Sequence, residues 1–198
     1  YIYERNASGG WDFMHKLIAL DGDDSDYFGS SVALSGDRLV VGASGTNGNQ
    51  GSAYVFEYEY DGTDWEWIEK EELTASDGIG NDLFGWSVAL SGDHVVVGAY
   101  GNNADQGSAY VFEYNGTDWS TGEKLTADDG AEDDMFGYSV SIDGDHVVIG
   151  ASRDDDNAND SGSAYIFVNN GNGNWNRKVK LTADDGAELD RFGISVSI

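Results

Sequence analysis

Apolar and polar positions alternate along this chain in short runs, with no stripe at helical spacing. Phe28-Gly29-Ser30-Ser31-Val32-Ala33-Leu34 places small or polar residues between apolar ones, the pattern of a half-buried strand. Ser35-Gly36-Asp37 then predicts a tight turn, where glycine supplies the unusual φ and aspartate caps its own backbone. Leu39-Val40-Val41-Gly42-Ala43 is a continuous, mostly β-branched run and predicts a strand buried on both faces. A polar loop covers 44–50, and residues 51–58 alternate again. Asp61-Gly62-Thr63-Asp64 signals a hairpin, and 65–75 predicts a fourth, more polar strand.

This passage is repeated. Phe84-Gly85-Trp86-Ser87-Val88-Ala89-Leu90-Ser91-Gly92-Asp93 opens the second copy, Phe136-Gly137 the third, and Phe192-Gly193 a fourth that stops at Ile198. The Phe-Gly pairs at 28, 84, 136 and 192 are 56, 52 and 56 residues apart. Four strands per period of this length predict an all-β fold, a β-propeller of four-stranded antiparallel blades. The blades fall at 28–75, 84–127 and 136–183 within a single domain over 1–198. Residues 1–5 match a third strand, 11–19 a fourth and 192–198 a first, so 1–19 and 192–198 supply parts of a further blade. The expectation is 15 strands, or about 3.5–4 blades, and the strand left out of the partial blade is the Val-Val-Val-Gly-Ala one. An open propeller exposes apolar edges. Three closures satisfy that requirement: further blades beyond this sequence, a four-bladed ring with one strand missing, or copies that complete one another.

Phe-Gly-x-Ser-Val-Ala-Leu-Ser-Gly-Asp-x-Val-Val-Val-Gly-Ala, followed by Gly-Ser-Ala-Tyr-Val-Phe, resembles the FG-GAP repeat over essentially the whole chain. It is closest to the prokaryotic variant, in which Leu-Thr-Ala-x-Asp-Gly precedes the Phe-Gly pair, as at 73–78, 125–130 and 181–186. That family includes the seven-bladed propeller of integrin α-subunits and many prokaryotic surface proteins. The resemblance implies an extracellular or cell-surface, non-enzymatic binding, adhesion or structural module. One departure matters. Integrin-type repeats carry a calcium loop, Asp-x-Asn-x-Asp-Gly-x-x-Asp, between the first and second strands. Here that connection is only Ser35-Gly36-Asp37, Ser91-Gly92-Asp93 or Asp143-Gly144-Asp145, too short to supply six or more oxygens.

Charge narrows the partners. With 37 Asp+Glu against 10 Lys+Arg the net charge is −27, the wrong sign for nucleic acid or anionic lipid. No apolar run approaches the ~18 residues of a membrane span. Cysteine is absent, which removes disulfides and thiolate chemistry. The chain starts at Tyr1 and shows no signal peptide, the expectation for a mature form, a processed piece or a partial sequence.

The loops joining fourth to first strands and second to third strands emerge on one propeller face. Two are dense in carboxylates. Asp21, Asp23, Asp24 and Asp26, and Asp128, Asp129, Glu132, Asp133 and Asp134, are the candidate oxygen ligands for Ca2+, against the plainer reading that they cap turns. No cofactor is required. Candidate contacts for a protein or glycan ligand are Trp86 and Tyr138, which vary between blades (Ser30 and Ile194 elsewhere), and the run Asp154, Asp155 and Asp156. His94 and His146 share a repeat position with Arg38 and so serve the blade; His15 lacks an evident partner. Tyr54, Tyr110 and Tyr165, with Phe56, Phe112 and Phe167, form inter-blade core, and Trp11, Trp65, Trp119 and Trp175 pack at the rim. No nucleophile elbow, zinc helix or phosphate loop occurs. A polysaccharide hydrolase or lyase is an alternative, but it needs one blade to break the repeat, and these blades are nearly interchangeable. A surface fibre or sheath subunit, self-associating through terminal strands, is another. Asn6, Asn115 and Asn159 head glycosylation sequons in loops.

Overall fold

The computed structural model describes residues 1–171 and 173–198. Three four-stranded antiparallel sheets follow one another along the chain, and in each the spatial order of strands is the sequence order. The first holds β3 (Phe28–Ser35), β4 (Arg38–Ala43), β5 (Ser52–Tyr60) and β6 (Trp65–Leu73). The second holds β7 (Ser87–Ser91), β8 (His94–Ala99), β9 (Ser108–Glu113) and β10 (Glu123–Leu125). The third holds β11 (Phe136–Asp143), β12 (His146–Ala151), β13 (Ser163–Asn169) and β14 (Trp175–Leu181). A two-stranded sheet, β1 (Ile2–Arg5) with β2 (Trp11–His15), precedes them. The short α1 (Thr46–Asn49) has left-handed angles at Asn47 and Gly48, so it acts as the tight turn of a loop.

Among the described residues the strand count is 14, not 15. Residues 192–198 form no strand, because among the described residues they have no ladder partner. Only Phe192 is bridged, to Gly162, and Ile198 N donates to Ser141 Oγ at 3.1 Å. β10 is also shorter than its sequence suggested, with Trp119 bridged separately to Tyr114.

The sheets stack face to face, which is why the second strand is apolar without alternation. In the first blade Val40, Val55 and Leu73 face Phe84, Val95, Val97 and Phe112 of the second. In the second blade Val96, Val111 and Leu125 face Phe136, Val147, Ile149 and Phe167 of the third. At roughly 1.5–3 kcal/mol per fully buried large aliphatic or aromatic side chain, these junctions dominate the stability of the stack.

A backbone lock accompanies the apolar contact. Gly42, Gly98 and Gly150 lie against the carbonyls of Gly85, Gly137 and Gly193, so close that a Cβ would stand 2.0, 2.0 and 1.9 Å from the oxygen. Ser31, Ser87 and Ser139 donate their hydroxyls to the same carbonyls at 2.8, 2.9 and 2.8 Å. Parallel bridges Gly51–Phe84, Gly107–Phe136 and Gly162–Phe192 complete the joint. Each Phe-Gly pair is thus the foot by which a blade stands on its predecessor, and residues 192–193 already occupy that footing on the third blade.

First strands of successive blades touch, β3 with β7 and β7 with β11, so they lie where the blades converge on the axis. The opposite face of the first blade is only partly covered. Leu39, Val41, Tyr54 and Phe56 pack with Ile2, Leu17 and Trp67, but Val32 and Leu34 remain 65% and 64% exposed. A cavity of about 720 Å³ opens there between the two-stranded sheet and the blade. Among the described residues no helix is long and apolar enough to cross a membrane.

Candidate binding face

The fourth-to-first and second-to-third connections are tied together on one face. Gly45, Gly101 and Arg153 donate backbone N–H groups to the carbonyls of Asp26, Asp82 and Asp134 at 2.9, 3.1 and 3.2 Å. Those aspartates, with Asp190, also accept the N–H three residues upstream, from Asp23, Ile79, Ala131 and Ala187 at 2.6, 2.9, 2.7 and 2.7 Å. Each carboxylate reaches back to close its own loop, the reason aspartate recurs there. The residue before each phenylalanine (Tyr27, Leu83, Met135 and Arg191) has a left-handed φ of 56, 58, 58 and 53°. Bulky residues are rare there, so the repeat builds this strain into every blade, and nothing in the sequence signals it.

Beneath the loops lies a Tyr–Asp ladder on buried tyrosines, completed by a lysine in the second and third blades. Tyr54, Tyr110 and Tyr165 are buried and donate their hydroxyls to Asp21, Asp77 and Asp129 at 3.0, 2.7 and 3.0 Å. Burial, then the neighbouring carboxylates, raises all three phenols well above their usual range. The residues opposite them on the fourth strand are Glu72, Lys124 and Lys180. Lys124 Nζ donates to Asp77 and Asn102 at 2.6 and 2.9 Å. Lys180 Nζ reaches Asp129, Asp154 and Asp156 at 2.9, 2.8 and 2.6 Å. Burial works against the ammonium, but Asp154, Asp156, Tyr165 and Asp129 outweigh it and hold the pKa of Lys180 above normal. In the first blade the cation is missing: Glu72 accepts from Ser52 Oγ at 2.6 Å.

These bonds account for most of the acidic candidates. Asp21 is engaged by Tyr54, and Asp23 and Asp26 share a turn; Asp24 is exposed. Asp128 pairs with Arg177 at 2.7 Å, Asp129 sits on the ladder, and Glu132 and Asp133 are exposed. Asp134 is buried. Desolvation, with Asp154 and Asp155 adding to it, pushes its carboxyl up to about 6. Among the described residues no three His, Asp or Glu side chains converge as a metal site. The integrin-type calcium loop has no counterpart either, since the first-to-second connections are turns such as Gly36-Asp37. Of the run at 154–156, expected from sequence to contact a ligand, Asp155 and Asp156 are exposed and Asp154 is buried. Asp154 is 2% exposed and held by Lys180 and Tyr165, and Asp156 also pairs with Lys180. Asp155 accepts from Asp160 N at 2.7 Å.

Trp86 and Tyr138 meet at the axial end of the second–third junction, ring centroids 5.7 Å apart. Tyr100 joins them, 4.9 Å from Trp86 and 5.4 Å from Tyr138. Sequence reasoning missed Tyr100, although the criterion that found the others identifies it: its equivalents are Ser44 and Ser152. All three rings are partly exposed. Burial raises the Tyr100 phenol, and Asp105 presses it in the same direction.

Elsewhere the repeated side chains serve the joints between blades. Arg38 is held by Glu57 and Asp93 at 2.8 and 3.1 Å and lies over the rings of Tyr114 and Trp119 of the next blade. His94 packs edge-on against Trp175 at 5.7 Å in the same way. Trp175 is therefore 7% exposed rather than a rim residue, whereas Trp11 and Trp65 are open at 67% and 54%. His15 lies edge-on to Tyr58. Asn115 and Asn159 are exposed, and Asn6 caps its own hairpin through Ser8 and Gly10.

The FG-GAP repeat profile matches residues 11–56, 67–112, 119–167 and 175–198, most of the chain. The chain belongs to the FG-GAP repeat family. The first three matched units end on the third strand of a blade, at Phe56, Phe112 and Phe167, and the fourth runs from the start of β14 past Phe192-Gly193, so every unit straddles a joint that a Phe-Gly foot makes. FG-GAP repeat domains are typically β-propeller binding modules. Comparison with curated proteins returned no match.

Proposed function

We propose that this FG-GAP domain is a non-enzymatic binding module of the cell exterior, and that a protein partner docks on the loop face at its axial end. The observation that supports it is the Trp86–Tyr100–Tyr138 cluster: three partly exposed aromatics at positions where the repeat elsewhere holds Ser30, Ser44 and Ser152, residues the blades need no more than these. Exposed aromatic groups that the scaffold does not require are what protein-binding surfaces use. The remaining carboxylates of the face are largely spent on turns and on the ladder, which favours display over acid–base chemistry. The test is capture of surface-exposed proteins by the wild-type domain and by Trp86→Ser, alongside a polysaccharide panel scored for product. Capture that depends on Trp86 supports the reading; turnover of any polysaccharide contradicts it.

A second reading has its own observation. The uncovered Val32 and Leu34 and the adjoining cavity occupy the positions that Val88, Leu90 and their neighbours hold inside the next junction. A second copy of this chain is the occupant that would continue that interface. Light scattering checks it: a monomer at all concentrations rules out assembly through this face.

A further inference from the structure

The Tyr–Asp ladder is closed over in one blade and open in another. In the third blade Lys180 Nζ has three carboxylate partners, Asp129, Asp154 and Asp156, one for each of its protons. The longer loop 152–162, against 100–107 in the second blade, supplies Asp156, and the lysine side chain is left 11% exposed. In the second blade Lys124 Nζ bonds Asp77 and Asn102 at 2.6 and 2.9 Å, and no acceptor among the described residues takes its third proton. This pair is open, with side chains 33% and 50% exposed. The first blade has Glu72 in place of the lysine.

Lys124 and Asp77 line a cavity of about 400 Å³, within the range of small-molecule sites. Its wall combines the Asn103 amide with one large apolar side chain, Ile79, which is 65% exposed. Other repeats hold Asp23, Ala131 and Ala187 at that position, so the blade does not need the isoleucine. Lys124, against burial and with help from Tyr110, holds the Asp77 carboxyl below its usual range. A charged acceptor therefore stands 2.6 Å from an ammonium with a proton to give. Two adjacent hydroxyls of a sugar ring suit that pair. One donates to the carboxylate, its neighbour accepts from the ammonium, and the ion pair stays intact. A ligand carboxylate would instead compete with Asp77 and meet a net charge of −27. A ligand ammonium would have to displace Lys124. The C–H face of the ring is apolar and leaves water on contact with an exposed aliphatic group such as Ile79.

We propose that this second-blade pocket binds a neutral sugar residue through two adjacent hydroxyls, with Lys124 donating, Asp77 accepting and Ile79 against the ring face. The pocket shares no lining residue with the Trp86–Tyr100–Tyr138 cluster, so it is a second site with its own ligand class.

The test is saturation-transfer NMR with calorimetry, using a panel of neutral methyl hexosides, their monodeoxy analogues, a methyl uronide and a methyl hexosaminide with a free amine. The proteins are the wild type, Lys124→Met and Ile79→Ala, the last installing the residue that positions 131 and 187 already hold. At least one neutral hexoside is expected to bind the wild type with Kd on the order of 1 mM. Removing either of two adjacent hydroxyls should abolish that binding. Lys124→Met should weaken it about tenfold or more, and Ile79→Ala about threefold to tenfold. Ile79→Ala carries the test alone should Lys124→Met fail to unfold cooperatively, since the isoleucine is exposed and its backbone bond to Asp82 is kept. Equal affinity in wild type and variants overturns the proposal, because the sugar then sits elsewhere. Tighter binding of the uronide or of the amine overturns the recognition of adjacent hydroxyls, and binding of no probe overturns the site. Hydrolysis of any glycoside overturns the binding-module reading instead.

Discussion

Replacing Glu72 by lysine should stabilise the protein. Glu72 faces Tyr54 across the β5–β6 ladder, at the position where Lys124 faces Tyr110 and Lys180 faces Tyr165. In those blades the ammonium sits 2.6 or 2.9 Å from the aspartate that accepts the tyrosine hydroxyl. The first blade puts a carboxylate there instead, close to Asp21 and Glu69. Burial, then the Leu20 N–H bond acting against it, then Asp21 and Glu72 leave Glu69 with a raised pKa. At an effective dielectric of about 20, opposite charges 4 Å apart gain about 4 kcal/mol before desolvation and side-chain ordering. The sister pair Lys124–Asp77 has side chains 33% and 50% exposed, so the net gain belongs at the upper end for exposed pairs, about 1 kcal/mol. Relief of the repulsion adds about 0.5 kcal/mol, and loss of the Ser52 hydrogen bond costs about the same. The sum is about +1 kcal/mol, a rise in Tm of about 3 °C for a chain of this size. The converse change, Lys180→Met, leaves the 2%-exposed Asp154 without its cation and should cost about 3 kcal/mol. Calorimetric unfolding in low and high salt measures both. An unchanged or lowered Tm for E72K, or a gain that salt does not reduce, would refute the reasoning.

Asp134 supplies a pH dependence. Its folded carboxyl titrates near 6, above the ~3.9 of an unfolded aspartate, so the folded state binds the proton more tightly and the protein loses stability as pH rises between those values. Asp134→Asn should therefore raise Tm at pH 7.5, by an amount equivalent to at most about 2–3 kcal/mol, and make little difference at pH 4; a gain that is equal at both pH values contradicts this. Gly98→Ala puts a methyl 2.0 Å from the Gly137 carbonyl oxygen and should cost about 3 kcal/mol or more in thermal unfolding. Gly92→Ala, in open space but with φ of +56°, should cost only about 1 kcal/mol, and equal costs would deny the backbone lock.

The blades were legible because their signals are local. Alternation in 28–34, the uniform run 39–43 and the turns at Gly36 and Gly62 each specify one strand or hairpin. The repeat multiplies that information, and the strand order in every sheet follows it. Residues 192–198 misled because they carry a strand sequence without a ladder partner. The loop face was less legible. Whether an aspartate faces solvent or a buried ammonium depends on the strand opposite. Asp154 looks like part of an exposed run until Lys180 is seen beneath it. Tyr100 escaped notice because it follows the second strand rather than the Phe-Gly pair, and only the fold brings the two positions to one spot.

The most direct test of the central claim follows the indole N–H signals of the six tryptophans by NMR while a surface protein captured by the domain is added. Trp86→Ser assigns the decisive signal. The account predicts that the Trp86 signal shifts with the binding isotherm, whereas those of Trp11 and Trp65, the most exposed indoles, hold still. Shifts at Trp11 or Trp65 with Trp86 unmoved would contradict it and place docking away from the axial end of the loop face.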